Sequence, residues 1–112
     1  MSMTKGRTYS RYTLEASALL GKQIRLGRKR RNWSETELAE RAGIVRATVQ
    51  KIEKGDPSCA VGLVFEAAAL VGVRLFDPEA DSLSGLLARA DDTLSLLPKA
   101  ARMKKGDVDD DF

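Results

Sequence analysis

Histidine does not occur in this chain of 112 residues, and cysteine occurs once, as Cys59. The first absence removes the commonest general base and the commonest metal ligand. The second leaves no intramolecular disulfide and no thiolate cluster for a metal. Carboxylates remain, but the run from Asp107 to Asp111 has the composition of a solvated tail, not of a paired acid–base site. No catalytic residue, metal site or cofactor is expected, and enzymes drop out as a class. No apolar run approaches the roughly 18 residues of a membrane span, and the basic start is not followed by the apolar stretch of a signal peptide. The expected setting is reducing and cytoplasmic, with no membrane partner.

What is present is charge, unevenly placed. The net charge of +3 conceals nine Lys/Arg against the lone Glu15 from Met1 to Trp33. From Ser34 to Asp56 four basic residues face five acidic ones, and from Pro57 to Phe112 six face ten. A basic first third beside an acidic remainder points to a polyanionic partner for the former and another role for the latter. A Lys/Arg-rich helix is equally the look of a solvated face, so charge alone does not decide.

Hydrophobic periodicity predicts an all-α chain of five helices. Residues 1–12 are small, polar and basic and read as a flexible arm; Lys5, Arg7 and Arg11 would be mobile alone and within reach of phosphates in a complex. The helix-turn-helix domain is expected over residues 13–78. Its first helix runs from about Leu14 to Arg31, with Leu20, Ile24 and Gly27 on one face and Lys22, Arg25, Lys29 and Arg30 around the rest. Asn32 ends it and Trp33 anchors the next element. Ser34 followed by Glu37 is a capping-box start for a second helix, with Leu38, Ala39 and Ala42 inward. "IVRATVQKIEK" is the third helix, with Val45, Val49 and Ile52 inward. Ser58 is expected to cap a fourth, "CAVGLVFEAAALVG", so apolar all round that it needs cover on more than one side. "VRLFD" reads as extended before Pro78. A fifth helix is expected within residues 79–98, from about Glu79 to Leu97, with Leu83, Leu86, Leu87, Ala90 and Leu94 at helical spacing. It either folds back on its own domain or joins a second copy. Residues 99–112 form a basic, then acidic tail without expected order.

The informative stretch is "ELAERAGIVRATVQKIEKG", where Gly43 interrupts a helix that could have continued. A residue leaving a helix commonly takes the left-handed region, free of steric penalty only for glycine. Small Ala39 lets the next helix cross closely, and Val49 and Ile52 plug the core from it, which is the anatomy of a helix-turn-helix. An ordinary helical hairpin shares these features. The outward face of the third helix separates the two. It carries Ala47, Gln50, Lys51 and Lys54, with Arg46 at the flank. Guanidinium and ammonium donors suit guanine, an amide suits adenine, and a methyl suits thymine in a major groove.

On these residues "WSETELAERAGIVRATVQKIEKGDP" resembles the Cro/CI (XRE-type) repressors, over about Leu20 to Phe76. The resemblance implies a lambda-repressor-like fold, with an N-terminal arm and a C-terminal extension here. It implies that Arg46, Ala47, Gln50 and Lys51 read bases, and that Ser34 and Thr36 lie against the DNA backbone; the basic side chains of Lys54 and Arg30 are expected to join them there. At Glu35 the chain departs from the usual glutamine, and a carboxylate there repels phosphate. Arg28 and Glu53 occupy positions that the family joins as an ion pair.

One such unit reads few base pairs, so a homodimer on a palindromic duplex operator is the expected working form. "VFEAAALVGVRLFD", "LLPKAARMKK" and the ending "DVDDDF" resemble, less specifically, HipB-like antitoxins encoded beside HipA-type kinases. This implies an autoregulatory repressor that also binds a kinase toxin, with Phe112 and the acidic tail as a binding segment. A stand-alone phage-type repressor and a module that mainly sequesters a protein partner are the alternatives.

Overall fold

The computed structural model describes residues 7–76 and 82–99. Among them are five helices and no strand: α1 (Arg11–Arg30), α2 (Glu35–Ala42), α3 (Arg46–Glu53), α4 (Val61–Leu70) and α5 (Leu83–Ser95). The chain divides into two compact units, Met1–Leu75 with α1 to α4 and Phe76–Phe112 with α5. No described helix is long and apolar enough to cross a membrane.

Polar caps start three of the helices. Ser10, Ser34 and Ser82 accept the backbone N–H of Thr13, Glu37 and Gly85 respectively, relieving donors that a helix start leaves unpaired. The stops share a second device. Gly43 has φ 72° and ψ 31°; its N–H donates to Glu40 O (3.3 Å), and the Ile44 N–H donates to Ala39 O (3.0 Å). That paired closure is the Schellman motif, and it requires a residue in the left-handed region. The same bonds close α1 through Asn32, at φ 59°. No atom lies within 4 Å of a Cβ built on Gly43, so its backbone angle, not crowding, demands glycine there.

The core of the first unit is small and drawn from four helices. Ile24 of α1, Leu38 and Ala39 of α2, Val49 and Ile52 of α3, and Ala67, Ala68 and Val71 at the end of α4 are buried, with Leu20, Trp33 and Ile44 packed against them. Gly21 sets how closely α1 and α3 approach. A Cβ there would collide with the Ile52 carbonyl oxygen and lie 2.8 Å from that of Glu53. Gly27 does the same toward α4, where a Cβ would lie 2.7 Å from Val71 O. Backbone cannot yield as a side-chain tip can, so Gly21→Ala is expected to destabilise the domain by about 1–3 kcal/mol. Gly62→Ala, in α4 with nothing within 4 Å, should instead stabilise by about 0.5–1 kcal/mol. Urea unfolding of the two variants checks both signs; equal midpoints would contradict the close crossing.

Several local expectations are corrected. Helix α1 begins at Arg11, not near Leu14, because Ser10 caps it and Arg11 pairs with Glu15 one turn on (3.3 Å). Arg11 and Tyr12 therefore belong to a helix instead of an arm; Lys5 lies outside the described residues, and Arg7 stacks over Tyr9 at 5.1 Å. Val45 does not face inward: it is the N-cap of α3, 66% exposed, while Ile44 turns to the core. Ser58 does not cap α4, which starts three residues later at Val61 after the uncapped Ala60. Its N–H and hydroxyl both donate to Asp56 Oδ1 (2.8 and 2.6 Å), which shapes the turn and holds the Asp56 carboxyl below its ordinary range. Helix α5 is shorter than expected and ends before Pro98; Glu79 lies outside the described residues, as do residues 100–112.

Candidate nucleic-acid interface

Helices α2 and α3 are joined by the Gly43 corner, and their inner faces are fixed by Leu38, Ala39, Val49 and Ile52. That arrangement settles where the remaining α3 side chains go. Eight residues make about two turns, so with Val49 and Ile52 buried, Arg46, Ala47 and Lys51 stand exposed and Gln50 half-buried on the outer side. Lys54 follows, exposed, at the C-cap. Ser34 and Thr36 lie exposed at the start of α2, where free N–H groups and the helix dipole favour an anion; Ser34 is engaged as the cap of Glu37 N (3.0 Å). Arg30 is exposed near the end of α1.

The outer face is tied to the core side by one buried polar contact. Arg28 Nε and Nη2 donate to Glu53 Oε2 and Oε1 at 2.7 and 2.9 Å, with side chains only 7% and 6% exposed. Arg28 Nη1 donates further to the Trp33 carbonyl (2.9 Å). The pair links α1 to the last residue of α3, while Trp33, clamped beneath Arg41 at 4.3 Å, fixes the entry to α2. Glu53, above all through its hydrogen bond, raises the Arg28 pKa despite burial.

One participant was not legible beforehand. Glu35, at the first position of α2, accepts hydrogen bonds at Oε1 from Arg46 Nε (3.0 Å) and from Gln50 Nε2 (3.0 Å). Two of the four residues expected to read bases are thus held by a carboxylate of the preceding helix. The bond from Gln50, then that from Arg46, keeps the Glu35 carboxyl below its ordinary range. The sequence signal that existed was the residue pattern itself: donors at Arg46 and Gln50, one turn apart on the helix that crosses the start of α2. Ala47 and Lys51 stay exposed beside this cluster.

Away from this face, an apolar cavity of about 190 Å³ lies between α1 and α4, lined by Leu20, Ile52, Cys59, Val64 and Phe65 among others. Burial pushes the Cys59 thiol pKa up, so it is not an activated nucleophile. Helix α4 covers less than its composition predicted: Ala67 and Ala68 are buried, whereas Val61 is 64% exposed.

A helix-turn-helix family model matches residues 24–76. Among solved structures, a HipB variant in an O2 20mer complex has the same fold, with a TM-score of 0.50 at 20% sequence identity, covering 70% of this chain and 100% of that chain. Comparison with curated proteins gives no match. The family match runs from the buried Ile24 through the Gly43 corner and all of α3 to Phe76, so it contains both the Arg28–Glu53 joint and the outer face of α3. The first unit is therefore all-α and lambda-repressor-like in fold, and its residues 24–76 are similar to the helix-turn-helix family.

Proposed function

We propose that the protein is a cytoplasmic, sequence-specific repressor that binds a palindromic duplex operator as a homodimer. Arg46, Ala47, Gln50 and Lys51 read base edges in the major groove; Ser34, Thr36, Lys54 and Arg30 contact the flanking phosphates. The observation that carries this reading is the presentation of α3: its apolar side is sealed in the core while its polar side stands outward on a rigid corner. Within that role we prefer an autoregulatory antitoxin that also binds a HipA-type kinase, supported by the likeness in fold to HipB over the whole of that chain. Dimerisation draws support from the exposed leucines of α5, among them Leu83, Leu87 and Leu94.

The test is titration of the full chain onto the DNA upstream of its own coding sequence, with footprinting and light scattering. A two-fold symmetric footprint, affinity that falls linearly in log–log with salt, and a dimer mass are expected. A monomer mass at every concentration refutes the dimer, and equal affinity for unrelated duplexes refutes sequence-specific repression. Co-purification with the kinase encoded next door tests the antitoxin role.

A further inference from the structure

The Glu35 cluster is a feature that a simple reading helix does not need. A carboxylate on the DNA-facing side of a binding domain weakens attraction to phosphate, and this one also occupies Arg46 and Gln50. It cannot swing clear by moving its backbone. The adjacent Ser34 cap fixes the start of α2 (3.0 Å), and Leu38 and Ala39 are locked in the core. Only the side chain can rotate. The pair it forms is partly open to water, with Arg46 61% and Glu35 29% exposed, and pairs of that kind are weak enough to be exchanged for another partner.

Resting on the DNA-binding reading above, we infer that Glu35 is a specificity-determining residue: an internal competitor for Arg46 and Gln50 that a matching base-pair sequence displaces and a bare phosphate backbone does not. Release of the carboxylate breaks two hydrogen bonds at once. A correct site replaces both, because a guanine edge accepts from the guanidinium and an adenine edge pairs with the amide. A phosphate arriving alone takes only Arg46, leaves Glu35 in place on the Gln50 amide, and meets its negative charge. Wrong sequences, which bind through phosphate contacts, are therefore penalised more than the right one. Discrimination arises here from a repulsive element placed against the competitor, not from an added attraction.

The experiment compares the wild-type chain with Glu35→Gln and Glu35→Ala. A random duplex pool is first selected on the wild type to obtain its preferred site. Dissociation constants are then measured for that duplex and for an unselected duplex across a salt series. Removing the charge should tighten binding to the unselected duplex about fivefold, the effect of one unit charge at contact distance in water. The salt slope should steepen by about one, and the selected duplex should gain less, so that the ratio between the two falls. Unchanged affinities, an equal gain on both duplexes, or a loss on both would overturn the inference while leaving the DNA-binding reading intact. If the wild type selects no duplex at all, that reading fails and the inference with it. Melting temperatures near wild type show that the variants fold, since Glu35 lies outside the core.

Discussion

Replacing Glu53 by glutamine is expected to destabilise the first unit by about 3–5 kcal/mol and to lower Tm on the order of 20 °C, the shift such a loss produces in a domain this small. The magnitude follows from burial. A surface ion pair such as Arg41–Glu37, half exposed at 3.0 Å, is worth under about 1 kcal/mol because water replaces either partner. Arg28 and Glu53 have no such substitute: both are more than nine-tenths buried and meet in two parallel hydrogen bonds. The glutamine keeps the shape but strands a guanidinium in the interior, and its amide N–H₂ faces a donor where an acceptor is required. Thermal unfolding followed by circular dichroism checks it, and an unchanged Tm would show that the contact is not the joint between α1 and α3. Exchanging both residues together for apolar ones of similar volume should cost far less, since no charge is left buried. That double variant separates the stability of the pair from its part in orienting α3.

The second large effect concerns binding. Arg46→Ala combined with Lys51→Ala should leave Tm near wild type, since both side chains are exposed. It should weaken binding to the preferred duplex by about 2–6 kcal/mol, at 1–3 kcal/mol for each base-reading side chain. Residual, sequence-indifferent binding through Arg30, Lys54 and the start of α2 should persist with a shallower salt slope. Isothermal titration on the preferred and an unrelated duplex gives both numbers. If the double variant still prefers its site by the wild-type ratio, α3 is not the helix that reads sequence, and the base-reading assignment falls.

The two effects differ in kind because the residues sit on opposite sides of one short helix. Glu53 looks inward and holds α3 to α1; Arg46 and Lys51 look outward, where the proposed function has them meet the DNA. Gly21 belongs with the first group. By admitting the α3 carbonyls against the α1 backbone, it lets the anchor at Glu53 reach Arg28.

Much of this was legible because the relevant physics is local. Ser34 three residues before Glu37, Gly43 after Ala42, and Val49 with Ile52 are short-range patterns whose hydrogen bonds and periodicity close within a turn or two, so the α2–corner–α3 unit followed from residue types and spacing. The places where local reasoning slipped were those where two solutions were locally equivalent. Either Ser10 or a later residue could have started α1, either Val45 or Ile44 could have turned inward, and Ser58 could cap a helix or satisfy Asp56. Local hydrogen bonds settled the first and last of these, and tertiary packing settled the other: Ile44 reaches the core from the Schellman closure, which leaves Val45 as an exposed N-cap.

The amino-acid sequence by itself determined the helices, the glycine corner and the polar side of α3, because backbone propensity, capping and helical period act over a few neighbouring residues. Only the tertiary structure decided that Glu35 lies between Arg46 and Gln50, 11 and 15 positions further along. A contact at that separation depends on the angle and depth at which α2 and α3 cross, and those are set by how the core beneath them packs.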